Sequence, residues 1–302
     1  MLQSVTLFGN TIMLYNPINT IAELSMILLM FLFIREYKAF CTFPVLIGRY
    51  MHKNEKKNPL FLSFLVAVEI IVYFMLCFAL SKFIIPYISA LFLGDRSDNF
   101  FLFIFVIPIA FFIFSSILFR LPPLKFWDFT VPSVNLALIL FKIACFCAGC
   151  CYGIGYDGPL SVFNCKNNRN ELPIQLIEAG EAVIILIILF ILKKRKKKVG
   201  TMYPTFMLLY SGMRFVSEFW RDDYPAVWGR LTGYHIQCII GFILGVIYLL
   251  VVLKWGERIN AYFETKNKSF LEKKLALYEK KHPQKSVKGH PKHKSGAHKK
   301  KK

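Results

Sequence analysis

Lys142-Ile-Ala-Cys-Phe-Cys-Ala-Gly-Cys-Cys-Tyr-Gly153 closes a long apolar run with a cation, four cysteines and two glycines. A helix that only faces lipid has no use for these residues. A charge near the bilayer is costly and normally faces a cavity or a partner. Glycine lets the backbone turn tightly or approach a ligand closely. The stretch therefore marks a site where an apolar helix leaves the membrane.

The rest of the chain agrees with a membrane reading. Apolar residues make up 56% of the 302 positions, above the 45–50% usual for soluble domains. They fall in long blocks, and 31 phenylalanines suit lipid-facing surface. The hydropathy pattern predicts an all-α integral membrane protein with about seven transmembrane helices, over residues 19–34, 60–80, 100–119, 129–148, 173–192, 202–219 and 235–253. The first and sixth are short, so tilt or partial burial in protein is expected. No basic segment precedes the first apolar run and no small-residue cleavage site follows it, so no cleavable signal peptide is expected.

Loop charge sets an orientation. Arg35, Lys38 and Arg49 follow the first span, Arg120 and Lys125 the third, the basic block 193–198 the fifth, and Lys254 with the basic tail the seventh. The alternate loops mix both signs, as in Asp95-Arg96 and Arg221-Asp222-Asp223. Positive loops stay inside, so the N-terminus is expected outside and the C-terminus in the cytoplasm. Lys142–Gly153 and Arg221 then lie at the outer face.

Polar residues inside apolar spans are the next signal. Tyr210, Arg214 and Glu218 follow one another at i, i+4 and i+8, on one helical face, with Arg221 close to it. One reading is an Arg214–Glu218 pair that neutralises itself, with Arg221 reaching out to the interface. The other is a polar cavity in which Arg214 holds an anion through its planar fork. Gln175, Glu178 and Glu181 also share helical spacing; acids there fit a helix N-terminus as well as a site.

Cys145, Cys147, Cys150 and Cys151 lie within seven residues, and Cys165 follows. Their spacing matches no standard zinc pattern and no His stands beside them, so no metal and no cofactor is assigned. Packing by small side chains, or a disulfide with Cys165 outside the cell, remain open. From Trp255 the chain turns polar. Residues 255–281 read as a charged amphipathic juxtamembrane helix, and 282–302 as a disordered Lys/His-rich cytoplasmic tail whose natural partner is anionic inner-leaflet lipid. The tail lacks interleaved aromatics, which argues against nucleic acid.

Four motifs in order resemble the bacterial prolipoprotein diacylglyceryl transferase family. The family signature Asp-Phe-x-x-Pro, nine residues, then Arg-x-x-Asn-Phe-x-x-Gly-Glu-x-x-Gly appears as Asp128-Phe129-Thr-Val-Pro132 followed by Lys142-Ile-Ala-Cys145-Phe146-Cys-Ala-Gly149-Cys150-Cys-Tyr152-Gly153. Pro173-Ile-Gln175-Leu176-Ile-Glu178-Ala179, Tyr210-Ser-Gly-Met-Arg214-Phe215-Val-Ser-Glu218-Phe219-Trp-Arg221 and Leu231-Thr232-Gly-Tyr-His235 complete the match. The resemblance implies transfer of a diacylglyceryl group from phosphatidylglycerol to the cysteine thiol of a secreted prolipoprotein, in a bacterial plasma membrane. It implies Arg214 as phosphate clamp, Lys142 at the signature arginine, and Tyr210 and Glu218 as orienting groups. Cys145, Gly149, Gly153, Gln175, Glu178 and Arg221 join the substrate-binding set. The family's His-Gly-Gly motif is missing from 99–110, and its signature Asn and Glu have become Cys145 and Cys150. The obvious base is thus absent, and His235 is the candidate replacement. A non-catalytic relative that binds anionic lipid or lipoprotein is the alternative. A small-molecule transporter or flippase is disfavoured because no inverted repeat is visible. Residues 1–254 are assigned to the transmembrane transferase-like domain.

Overall fold

The computed structural model describes residues 122–281 except 196, 197 and 224, together with 4–7, 10–13 and scattered positions between 17 and 75. The expected spans 19–34, 60–80 and 100–119 lie outside the described residues apart from isolated positions. Segment 99–110 and the tail 282–302 lie outside them entirely.

Four helices carry the described fold: α1 (Pro123–Ala148), α2 (Ile174–Lys194), α3 (Met202–Ser217) and α4 (Gly233–Lys281). A 3-10 turn, Glu218–Trp220, prolongs α3. Helix α1 starts on Pro122-Pro123, where a missing N–H costs nothing. It ends on Gly149, whose φ of 66° turns the chain left-handed. The Gly149 and Cys150 amides then donate back to the carbonyls of Phe146 and Cys145, closing the helix end. Helices α1, α2 and α4 are long and apolar enough to cross a membrane.

Helix α3, with 16 residues, spans about 24 Å at 1.5 Å per residue, short of the roughly 30 Å hydrocarbon core. It survives because it is wrapped in protein: Tyr203, Phe206, Met207 and Tyr210 are all buried. α1 packs on α2, α2 on α3, and α3 on α4. Phe126, Leu138, Ile185, Leu189 and Phe206 fill the space between them. Asn135 Nδ2 donates to the Ala182 carbonyl at 2.8 Å, a polar tie between α1 and α2 of the kind membrane helices use. Ile184, Ile187, Ile243 and Leu250 point outward, as lipid-facing side chains should.

Two features differ from the sequence reading. The span at 235–253 and the charged segment at 255–281 are one continuous helix of 49 residues. At about 74 Å it is more than twice the hydrocarbon thickness. The charged half leaves as a continuation of the span, tied to the start of α1 by an ion pair between Lys125 and Glu264. The fold is also not purely helical. Antiparallel ribbons join β1 (Ser4–Leu7) to β2 (Asn10–Met13), β3 (Val162–Asn164) to β4 (Arg169–Glu171), and β5 (Ala226–Trp228) to β6 (Leu231–Thr232). These strands are two to four residues long, too short to show a period of two in the sequence.

The β3–β4 and β5–β6 ribbons lie at one end of the bundle. Gly153 bridges Arg221, and Gly155 bridges Glu171. A Cβ on Gly153 would meet the Leu172 carbonyl oxygen at 2.4 Å and that of Trp220 at 3.1 Å. Only glycine lets these three segments meet. Glu171 is fully buried and accepts from Asn164 at 2.8 Å, Asn167 at 2.7 Å and Arg169 at 2.8 Å. Asn164 in turn donates to the Gly149 carbonyl at 3.2 Å. The loop after α1 is therefore anchored to the β3–β4 ribbon.

Candidate functional site

At this end of the bundle, three cations from two helices and a loop meet one carboxylate. Glu178 sits in the first turns of α2 and is 4% exposed. Arg214 Nη1 reaches its Oε1 at 2.5 Å, Arg221 Nη1 reaches the same oxygen at 3.2 Å, and Lys142 of α1 pairs with Oε2. Arg214 Nη2 also holds Glu218 Oε2 at 2.6 Å. Arg221 pairs with Asp223 as well. Among the described residues the cluster thus sets Lys142, Arg214 and Arg221 against Glu178, Glu218 and Asp223, and is self-neutralising. Charges taken out of water need this degree of pairing.

Helical phase explains part of the geometry. Arg214 and Glu218 are four residues apart and lie on one face. Tyr210, one turn earlier, is buried and stacks on Phe206 with ring centroids 5.8 Å apart. Arg221 is the exception. One sequence reading sent it outward and the other kept it at the site; its side chain is only 3% exposed. The 3-10 turn after Ser217 ends the regular helix and gives Arg221 an extended backbone, which returns the guanidinium to Glu178.

His235 is fully buried. Its Nδ1 accepts the Thr232 N–H at 3.0 Å and lies 3.1 Å from the Thr232 hydroxyl. That hydroxyl donates to Glu218 Oε1 at 2.7 Å. The imidazole packs against Phe219 at 4.4 Å and Phe215 at 5.1 Å. His235 therefore reaches the charged cluster through Thr232. Thr232, Asp223 and Tyr234, whose ring lies 5.7 Å from the Arg214 guanidinium carbon, were not read from the sequence as site residues. Thr232 stands in a quoted motif, and Asp223 is an acid two residues from an expected site arginine; both were available signals.

Gln175 does not enter the charged cluster. Its Nε2 donates to the Cys150 carbonyl at 2.7 Å, and so fixes the signature loop to α2. Gly149 and Gly153 shape the same loop. Cys145, Cys150 and Cys151 come together, with their three sulfurs all within 4.8 Å of one another. Cys147 and Cys165 lie outside that group. Hydrogen bonds from the Cys145 and Cys150 thiols, then the charges of Lys142 and Arg221, hold the Cys151 thiol well below its usual range, against the effect of burial.

The family model for prolipoprotein diacylglyceryl transferase matches residues 102–251. These residues contain α1, α2, α3 and every residue of the cluster just described. The chain belongs to the prolipoprotein diacylglyceryl transferase family. It is 30% identical over 128 residues to a phosphatidylglycerol–prolipoprotein diacylglyceryl transferase of Clostridium tetani, a stretch that is 41% of this chain and 51% of the relative. The chain thus spans about half the length of the curated relative it matches. Membership in a family of transferases bears out the resemblance read from the motifs. Within the family, the structure gives the signature two separate tasks. Asp128 lies at the far end of α1 and accepts the Gly200 and Met202 amides at 2.6 and 3.0 Å, which holds the entry to α3. Lys142 and the following loop form the charged end.

Proposed function

We propose that the protein transfers a diacylglyceryl group from phosphatidylglycerol to a thiol, at the outer end of a seven-helix membrane domain with its N-terminus outside and its basic tail in the cytoplasm of a bacterial cell. The observation that carries this reading is the convergence of Lys142, Arg214 and Arg221 on the Glu178 carboxylate. A phosphodiester, like a carboxylate, offers two charged oxygens to forked donors. The donors that hold Glu178 are those a phosphate needs as its leaving charge develops. Arg214 is assigned as the main clamp, with Lys142 and Arg221 beside it. Tyr210 and Glu218 orient groups around it. Cys145, Gly149, Gly153, Gln175 and Glu178 bind substrate or shape its surroundings. His235 is the candidate base, through Nε2, since Nδ1 is engaged by Thr232.

The domain division follows the same reading, with 1–254 as the transferase-like body, 255–281 as a juxtamembrane helix and 282–302 as a tail for anionic lipid. The second reading is a non-catalytic relative that binds anionic lipid or lipoprotein. One observation favours it: the cluster is buried and already neutral, so a phosphate must displace a carboxylate to enter.

The deciding experiment is transfer from phosphatidylglycerol to a lipobox peptide by the purified protein, read as glycerol phosphate release and thioether formation. Product that vanishes in Arg214→Ala and persists in Lys198→Ala supports the transferase. Phosphatidylglycerol binding without product supports the second reading. Equal effects of both substitutions would sink the site assignment.

A further inference from the structure

The cysteine group is the part of this end that the charged cluster does not explain. Cys145 stands in the last turn of α1, and Cys150 and Cys151 in the loop after it. Two left-handed residues bend the backbone back on itself, Gly149 at φ 66° and Cys151 at φ 55°. A non-glycine residue there is uncommon. The bend is held from several sides. Cys150 N–H donates to the Cys145 carbonyl at 3.2 Å, Gln175 to the Cys150 carbonyl at 2.7 Å, Asn164 to the Gly149 carbonyl at 3.2 Å, and Asp222 N–H to the Tyr152 carbonyl at 3.3 Å. Three thiols are thereby fixed together, half-buried, beside the paired charges of Lys142 and Glu178.

A disulfide would use only two of the three thiols, whereas a metal ion would use all three. A tetrahedral zinc with Zn–S bonds of about 2.3 Å separates its sulfurs by about 3.8 Å. Starting from separations within 4.8 Å, each sulfur needs to move by roughly half an ångström to meet that geometry. Three protein ligands leave one position open, the hallmark of a catalytic rather than a structural zinc.

We propose that Cys145, Cys150 and Cys151 bind zinc as a three-thiolate site whose fourth position takes the acceptor thiol. The inference rests on the transferase reading and supplies what that reading lacks. A thiol that coordinates zinc loses its proton, here to solvent. The resulting thiolate attacks the glyceryl carbon of the phospholipid. A carbon–sulfur bond forms, the carbon–oxygen bond to phosphate breaks, and the phosphate oxygen leaves with the electron pair as glycerol phosphate. Nothing is oxidised or reduced. Cys145 and Cys150 stand where the family signature has Asn and Glu, so the substitution exchanges one polar set for a metal-binding one. A metal-held thiolate needs no separate base, so this assignment replaces His235 in that role.

The test uses the full-length protein in nanodiscs, prepared anaerobically. Zinc content by elemental mass spectrometry should be about one per chain. C145S, C150S and C151S should each lower zinc affinity by more than the roughly 10- to 100-fold that an outer-shell loss costs, while C147S leaves it unchanged. Cobalt substituted for zinc should give thiolate-to-cobalt charge transfer, and its d–d bands should shift on adding a lipobox peptide but not its Ser analogue. The cobalt readout uses the unmutated chain and does not depend on any variant folding. Zinc below stoichiometry, zinc bound equally by C147S and the three cluster variants, a disulfide within the group, or cobalt bands blind to the thiol would each overturn the proposal. Zinc and thiol binding without transfer would leave the metal site standing and remove the transferase reading. Transfer by metal-free protein would do the reverse.

Discussion

Two acids of the family motifs, Asp128 and Glu178, lie at opposite ends of the helix bundle and are satisfied in opposite ways. Asp128 accepts two backbone amides at the entry to α3. Those donors, Gly200 just before the N-cap and Met202 at the first helical position, are fixed by the chain, and α3 itself offers the Met202 amide no acceptor. Glu178 is held by the side chains of Lys142, Arg214 and Arg221. Side-chain cations can rotate toward a different anion; backbone amides in a helix end cannot. The first acid therefore locks the fold; the second is held by groups that can turn toward another anion, which is what the proposed phosphate site rests on.

The sharpest way to break this contrast is Arg214→Ala. It strips a partner from both Glu178 and Glu218 and leaves buried carboxylates under-paired, at a cost of about 3–5 kcal/mol. Lipid-dependent transfer or binding should vanish, and thermal unfolding in detergent should come earlier. Arg214→Lys separates charge from geometry: it keeps the cation and loses the fork, so activity should fall while most of the stability remains.

Asp128→Ala should cost about 2–3 kcal/mol through two amides left without an acceptor. Phosphatidylglycerol binding per folded molecule should be unchanged. Loss of lipid binding in folded Asp128→Ala would erase the distinction between the two ends. Thr232→Val removes one hydrogen bond to a charged group, worth about 1.5–3 kcal/mol, and releases the link between His235 and Glu218. Its transfer rate should fall more than its unfolding temperature. Lys198→Ala, at an exposed position, should change stability by no more than about 0.5 kcal/mol and leave transfer intact.

The residues most legible in the sequence were those whose spacing is local. Tyr210, Arg214 and Glu218 share a face because helical phase alone puts them there, and the i,i+4 pair at 2.6 Å follows directly. For Arg221 the sequence left two readings open, an outward reach and a place near the shared face; the 3-10 turn after Ser217 brings its side chain inward. The domain boundary at 254 was drawn at a change in composition; backbone hydrogen bonding has no reason to stop where side chains turn charged, and α4 runs through that point.

The amino-acid sequence by itself determined the apolar spans, the glycine that ends α1, the positions of the embedded charges and, through ordered motifs, the family. These depend on local composition, on spacing and on short-range backbone rules. Only the tertiary structure decided that Lys142, Glu178, Arg214 and Arg221 share one carboxylate, that Thr232 joins His235 to Glu218, and that Cys145, Cys150 and Cys151 form one group while Cys147 does not. Such contacts depend on which helices lie side by side and on where a left-handed turn sends the next side chain, and no local periodicity records either.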